Sequence, residues 1–202
     1  MRRVGHPHTS RGRGTGCRRA IAALALLGIA ATTPALGAEA TDPVSPGLAT
    51  ARAASAEAWD ASPLGFAKAL FVEGDVGGFG QYTPLADPVF QPDDTLTVYA
   101  QPLGYGFVES DAGYGIRLIA DYELLNRSGQ VLAAQTGFAE LSYDSRDPRR
   151  EFHAILQFRF DGLRAGDYDL KILMRDSASE KQGQISLPFQ VRAKADGANG
   201  AQ

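Results

Sequence analysis

The chain has 202 residues, with 20 lysines and arginines against 23 aspartates and glutamates, and 44% of its residues are hydrophobic. A chain of this length and composition predicts one globular domain. The first 38 residues hold six arginines and no acid, so the remainder has 14 basic against 23 acidic residues, a net charge of −9. That charge argues against nucleic acid and against an anionic membrane surface as partners.

Residues 1–38 have the organisation of a secretory signal peptide. An arginine-rich segment precedes an apolar run at residues 20–31, and small residues follow it. This order is typical of a cleaved leader, and the apolar run is too short to span a bilayer. We place cleavage near Ala38, which removes Cys17 and leaves a chain without cysteine. The leader predicts a periplasmic or secreted protein that is soluble after cleavage, with no membrane span.

The residues after the leader fall into three parts by composition. Residues 39–63 are rich in alanine, serine and proline without apolar periodicity, which predicts a flexible lead-in. Trp59 is the exception there, and it either docks on the domain or stays exposed. The folded domain is predicted at residues 64–192, with no long helix, and residues 193–202 are predicted to be a disordered tail.

Alternating apolar residues predict strands along the domain. Residues 66–73 suit a first strand better than a short helix, and the glycine- and proline-rich residues that follow predict a long irregular connection up to residue 92. Asn126 begins a polar hairpin turn that ends at Gly129. The other predicted strands before the final hairpin are residues 95–102, 113–125, 130–138 and 152–160.

The last two strands form the clearest element, a hairpin over residues 163–192. Each arm alternates apolar with polar side chains, so each has one face that can be buried. Its start, Leu163 to Tyr168 with Gly166 between them, resembles the tyrosine corner of immunoglobulin and fibronectin type III domains, in which the phenol bonds to upstream backbone. The apolar faces consist of Tyr168, Leu170, Ile172 and Met174 in one arm and Ile185, Leu187, Phe189 and Val191 in the other.

About seven strands without a long helix predict an all-β fold, and the tyrosine corner favours an immunoglobulin-like antiparallel β-sandwich, with a jelly roll as the alternative. If the strand at 113–125 and the closing hairpin share a sheet, Ile119 and Leu173 point outward together. Isolated exposed apolar residues are ordinary, but a contiguous patch there would indicate a partner surface or a homodimer.

Catalysis and metal binding find little support in the sequence. The mature chain has no cysteine and no Gly-x-Ser-x-Gly motif, and its one histidine, His153, lies within a predicted strand. One histidine makes no zinc site, and the paired aspartates near residues 93, 144 and 167 suit turns better than a calcium site. We expect no enzymatic activity, no metal and no cofactor.

Two groups of residues are candidates for binding. Glycine-flanked aromatic residues on loops can present their rings to a sugar or a protein, or can instead cap the ends of the core. Arg149 and Arg150, on a loop, can hold a carboxylate or phosphate, or can instead neutralise nearby acids such as Asp144, Asp147 and Glu151. The aromatic candidates are Phe79, Tyr82, Tyr105 and Phe107.

Between residues 71 and 191, the motifs GFGQYTP, TVYAQPLGYG, AGDYDLKI and SLPFQV resemble a family of short exported bacterial β-sandwich proteins to which no catalytic residues are assigned. The resemblance implies an exported module without catalytic activity. We expect it to bind an envelope protein through its aromatic loops or sheet face, with a carbohydrate or small-ligand binder as the alternative.

Overall fold

A computed structural model of the chain describes residues 43–193, and the predicted leader and nearly all of the predicted tail lie outside them. The described part is built mainly of β-strands, as predicted, with ten strands rather than about seven. Its elements are helix α1 at Pro46–Ala61 and strands β1 Gly65–Gly78, β2 Gln81–Pro84, β3 Val89–Phe90, β4 Thr95–Leu103, β5 Val108–Ser110, β6 Gly113–Asn126, β7 Val131–Ser145, β8 Ala154–Arg159, β9 Gly166–Asp176 and β10 Gln182–Val191.

Helix α1 corrects the prediction of a flexible lead-in without a helix. Ser45 caps the helix by accepting a hydrogen bond from the Leu48 amide at 3.3 Å, and Pro46 occupies the first turn, where its missing amide hydrogen costs nothing. The alanines that follow have the highest helix propensity. None of the helix residues is fully buried, so local propensity and capping sustain most of α1, while Trp59 near its end packs against the core.

Four strands form one sheet in the order β2-β1-β4-β8. The strand predicted at residues 66–73 is confirmed as β1, although the connection predicted to be irregular also contains β2 and β3. In β4, Leu96 and Val98 are buried as predicted, but Tyr99 is buried on the opposite face as well. The reason is that Tyr82 of β2 stacks on the Tyr99 ring at 4.2 Å. The β1–β2 hairpin therefore covers the outer face of β4.

The second sheet has six strands. Five follow the order β3-β10-β9-β6-β5, and β7 also pairs with β6, off this path. The predicted closing hairpin is confirmed, because β9 and β10 pair in continuous antiparallel register from Gly166 to Arg175. The turn after Asn126 is also confirmed by a hydrogen bond from the Gly129 amide to the Asn126 carbonyl at 2.9 Å. β7 continues to Ser145, seven residues beyond the predicted strand at 130–138.

The inner faces of both sheets share one hydrophobic core. Each fully buried aliphatic or aromatic side chain contributes about 1.5–3 kcal/mol relative to exposure. The expected tyrosine-corner hydrogen bond is present, since the Tyr168 hydroxyl donates to the Arg164 carbonyl at 2.8 Å. Residues with almost no exposed surface include Val98, Ile116, Leu118, Leu124, Leu156, Phe158, Leu170, Ile172 and Met174.

Candidate functional site

The loop of residues 146–153 connects β7 of one sheet to β8 of the other, and the candidate residues gather around it. It carries the exposed Arg149 and the partly buried Arg150, then Phe152 and His153 as it enters β8. Because the loop crosses from one sheet to the other, its side chains can contact aromatic residues of both sheets.

Tyr105 anchors this loop from below. Its side chain is fully buried, and its hydroxyl donates a hydrogen bond to the Arg149 carbonyl at 2.8 Å. Burial raises the pKa of the Tyr105 phenol far above its ordinary value, although the charges of both arginines oppose this, so the hydroxyl remains a donor at neutral pH. Tyr105 therefore holds the loop in place, and its buried ring fits the core-capping alternative.

Phe107 and Trp59 complete the packing around Tyr105. The Phe107 ring meets the Tyr105 ring edge-on at 5.6 Å, and the Trp59 ring meets it at 4.9 Å. The Trp59 indole also donates a hydrogen bond to the Tyr105 carbonyl at 2.7 Å. Tyr105 and the half-buried Phe107 pack against the core as the core-capping alternative describes, and Trp59 docks on the domain rather than staying exposed.

Arg149 is exposed and is held by an aromatic residue rather than by an acid. Its guanidinium carbon lies 4.7 Å from the centre of the Tyr143 ring, and the guanidinium donates to the Tyr143 hydroxyl and, at 2.9 Å, to the Glu151 carbonyl. No carboxylate within residues 43–193 forms an ion pair with it, and Asp144 pairs instead with Arg117 at 2.5 Å. The predicted neutralisation by neighbouring acids therefore does not describe Arg149.

Arg150 lies between the loop and the end of α1. Its guanidinium carbon is 5.6 Å from the centre of the Trp59 ring, and its Nε is buried without a hydrogen-bond partner among the described residues. It likewise forms no ion pair in the described part of the chain. A planar guanidinium without an acidic partner suits a carboxylate or phosphate, which accepts two parallel hydrogen bonds.

Phe79 and Tyr82 reach the same region from the β1–β2 hairpin. The His153 ring stacks on Tyr99 at 5.5 Å, while Phe79 approaches His153 edge-on at 6.5 Å. Burial, assisted by the Arg149 charge, lowers the pKa of His153, so its ring is neutral at pH 7. Phe79 keeps 37% of its surface exposed, whereas Tyr82 is half-buried on Tyr99.

Two of the six residues singled out in the sequence, Arg149 and Arg150, lie on this loop, and the others divide by role. Tyr105 and Phe107 pack on its core side, whereas Tyr82 stacks on Tyr99 at the outer face of β4. We define the arginine–aromatic surface as Phe79, Tyr143, Arg149, Arg150 and His153. Tyr143 escaped the sequence analysis; its position six residues before Arg149 was the only available signal, and sequence separation does not show that the chain folds back there.

The outer face of the six-stranded sheet is a second candidate. Ile119 and Leu173 do point outward from neighbouring strands, as expected, and both are half-buried. Between them Arg175 forms a bidentate ion pair with Asp121 at 2.8 and 2.9 Å, which lowers the pKa of Asp121. The isolated apolar residues are therefore separated by charge and form no continuous apolar patch.

A groove of about 400 Å³ lies beside this ion pair, lined by polar side chains and by Leu173. A carbohydrate binder would need an exposed ring there, because sugars stack on aromatic faces. The aromatic residue at the groove is Tyr122, and its ring packs against Phe138 and Phe158 at 5.1 and 5.4 Å. The groove thus offers polar groups without a stacking platform.

Residues 43–193 contain no group of three or more histidine, aspartate or glutamate side chains placed to hold a metal ion. Nor does the helix among them combine the length and hydropathy needed to cross a membrane.

No protein-family model and no curated protein matches the chain. Three solved structures resemble parts of it. An alkylpurine DNA glycosylase of Pseudomonas fluorescens bound to DNA containing an abasic site analog is 11% identical with a TM-score of 0.36, and the match covers 65% of this chain and 31% of that one. A family 123 glycoside hydrolase of Clostridium perfringens is 10% identical with a TM-score of 0.34, covering 53% of this chain and 23% of that one, and a CARDB domain from Pyrococcus furiosus in complex with di-metal ions is 10% identical with a TM-score of 0.31, covering 64% and 96%. The chain spans less than a third of the first two. At TM-scores this low, the likenesses carry no argument.

Proposed function

We propose that the protein is an exported, non-catalytic binding module that recognises a protein partner through the arginine–aromatic surface. The proposal includes an immunoglobulin-like β-sandwich arrangement of the two sheets and a place among the short exported bacterial proteins that the motifs resemble. It also includes a location in the periplasm or outside the cell. The leader supports export, and the tyrosine-corner hydrogen bond of Tyr168 supports the fold.

The observation that carries the proposal is the state of the two arginines. Arg149 and Arg150 are held at the surface by Tyr143 and Trp59, and no described carboxylate pairs with them although the mature chain is acidic. Arginine on an aromatic platform is pre-oriented, so less side-chain entropy is lost on binding. Such residues are enriched at the centres of protein–protein interfaces.

The surroundings of His153 support a role without catalysis. Its neutral ring stacks on Tyr99, and no described side chain forms a hydrogen bond with it. A general base needs a partner within hydrogen-bonding reach that it can deprotonate or that orients it. The arginine–aromatic surface supplies planar cations and rings, which are groups for recognition rather than for proton transfer.

The test is partner capture from the native envelope with three immobilised proteins. These are the processed wild type, an Arg149→Gln/Arg150→Gln variant and an Arg127→Gln/Arg159→Gln control that removes the same charge elsewhere, at arginines that are 87% and 65% exposed. We expect one stoichiometric protein to be retained by the wild type and the control and lost from the variant. Equal retention by all three would refute the proposed surface.

Export has its own measurement. Cell fractionation and N-terminal sequencing of the native protein should find it outside the cytoplasm, beginning near residue 39. An unprocessed chain in the cytoplasm would contradict the proposal, whatever the capture experiment shows.

A further inference from the structure

Strand β7 forms a long edge of the six-stranded sheet. It pairs with β6 and with no other strand in the described part of the chain. A strand paired on one side directs the amide and carbonyl groups of alternate residues toward its open side. These groups can accept a further strand.

The two halves of β7 differ in how well this edge is protected. The register with β6 shifts opposite residues 120–122, and Gly137 there adopts a φ of +63°, which only glycine tolerates easily. This irregularity interrupts the edge in the middle of β7. From Ala139 to Ser145 the register is unbroken, and the segment contains neither lysine nor proline. Residues 139–145 therefore lack two of the common devices that block strand addition, although Glu140 and Asp144 place charge on the segment.

Arg149 lies beside this unprotected half. Tyr143 pairs with Ile116, whose side chain is buried, so Tyr143 faces the space between the sheets together with Leu141. The Arg149 guanidinium covers the Tyr143 ring from the crossing loop. Two of its five N–H groups have partners among the described residues, which leaves three for a ligand. A strand added to this edge would place an inner-face side chain next to Arg149.

We propose that an extended segment of the partner, carrying one acidic residue, adds as a strand to residues 139–145 and pairs its carboxylate with Arg149. This inference rests on the proposed function and gives the partner segment its chemistry. Main-chain hydrogen bonds to the edge supply affinity, and side chains on alternate positions supply specificity. The inner face of the segment carries an apolar residue against Leu141 and, two positions away, the acid that meets Arg149.

A second copy of this chain fits the edge less well. In antiparallel self-pairing centred on Ser142, Glu140 of each chain would lie opposite Asp144 of the other. Like charges directly opposite each other destabilise a strand pair. The same acids leave a partner with a different sequence as the favoured occupant.

The experiment screens the processed protein against a phage-displayed library of random dodecapeptides. Enriched peptides are synthesised, and their affinities are measured for the wild type, for Arg149→Gln and for the Arg127→Gln control. Each peptide is also prepared in two forms, with N-methyl groups on odd or on even amides. N-methylation removes the hydrogen bonds of one peptide edge only, so its effect distinguishes strand addition from recognition by side chains alone.

We expect enriched peptides with an acid two positions from an apolar residue. Arg149→Gln should weaken binding about tenfold, the control should leave it unchanged, and one methylation pattern alone should abolish it. Methylation patterns of equal effect, affinities independent of Arg149 or failure to enrich any peptide would overturn the inference. A wild-type dimer that Ser142→Pro dissociates would replace the partner with a second copy. Arginine-dependent capture from the envelope stands apart from all these outcomes, so either proposal can fail alone.

Discussion

Replacing Tyr105 with phenylalanine tests whether the core positions the arginine loop. The substitution keeps the ring, with its edge-on contacts to Trp59 and Phe107, and removes only the hydroxyl. That hydroxyl donates to the Arg149 carbonyl at 2.8 Å across 44 residues of sequence. The variant therefore loses one long-range hydrogen bond and little packing.

The expected cost follows from the burial of the Tyr105 side chain, since the bond itself is only partly buried. Tyr105 has no exposed surface, so water cannot easily replace the lost donor, and an acceptor left unsatisfied costs about 1–3 kcal/mol. Tyr168→Phe is the matched control, because it also removes a phenol that donates to a backbone carbonyl at 2.8 Å. That bond is exposed and spans four residues, so its loss costs about 0.5 kcal/mol.

Urea unfolding of the two variants and the wild type measures the difference. We expect Tyr105→Phe to lower the free energy of unfolding by about 2 kcal/mol with an unchanged m-value, which corresponds to a Tm lower by about 4–8 °C. It should also weaken partner binding, because the loop loses its anchor. An equal or larger loss in Tyr168→Phe would refute the argument that Tyr105 is the buried support of the site.

Three further predictions concern the scaffold. Gly104→Ala should destabilise the protein by about 1–3 kcal/mol more than Gly129→Ala in urea unfolding. Both glycines have positive φ angles, but a Cβ on Gly104 would lie 2.4 Å from the Pro63 carbonyl oxygen, whereas Gly129 faces open space. The ion pair of Asp121 lowers its pKa, so the stability it contributes is present at neutral pH and is lost as pH falls. The stability difference between the wild type and Asp121→Asn should therefore shrink from about pH 5 to pH 2 in urea titrations, and a constant difference would contradict the assignment. Lys181→Met should release the end of α1, because the Lys181 ammonium donates to the carbonyls of Asp60 and Gly104 at 2.9 and 2.8 Å. Fluorescence emission from the single tryptophan, Trp59, should then shift to the red. An unshifted spectrum would show that the helix is held by other contacts.

The strands of the domain were predictable because a strand that faces a core carries its own signal. In β9, Leu170, Ile172 and Met174 are buried while the residues between them are more exposed, as their alternation indicates. The tyrosine corner was predictable for a related reason, since its hydrogen bond joins Tyr168 to Arg164 within one short segment. Both features are local in sequence.

Helix α1 was missed because the sequence was judged by its capacity to bury apolar surface. Low hydrophobicity indicates that a segment cannot form a core, but α1 buries none of its residues. Its serine cap, early proline and alanines were present in the sequence and act locally. The weight given to composition, rather than a lack of signal, caused the error.

The binding residues could be identified by type but not by orientation. Glycine-flanked loops have no periodicity, so nothing in the sequence shows that Tyr105 turns inward while Phe79 stays partly exposed. Nor does it show that Asp144, one of the acids that could neutralise the loop arginines, pairs with Arg117 across β6 and β7. Each outcome depends on contacts between residues far apart in the chain.

The sequence by itself determined most of the segments that extend as strands and which of their faces are apolar, because backbone geometry converts a period of two into two faces. The short strands β2, β3 and β5 were not among them. Only the tertiary structure decided that Phe79 meets His153 of the crossing loop, that Arg149 lies on Tyr143 and that residues 139–145 form an open edge. These are results of sheet order and loop path. They depend on which strands become neighbours, and one strand pattern is compatible with many such arrangements.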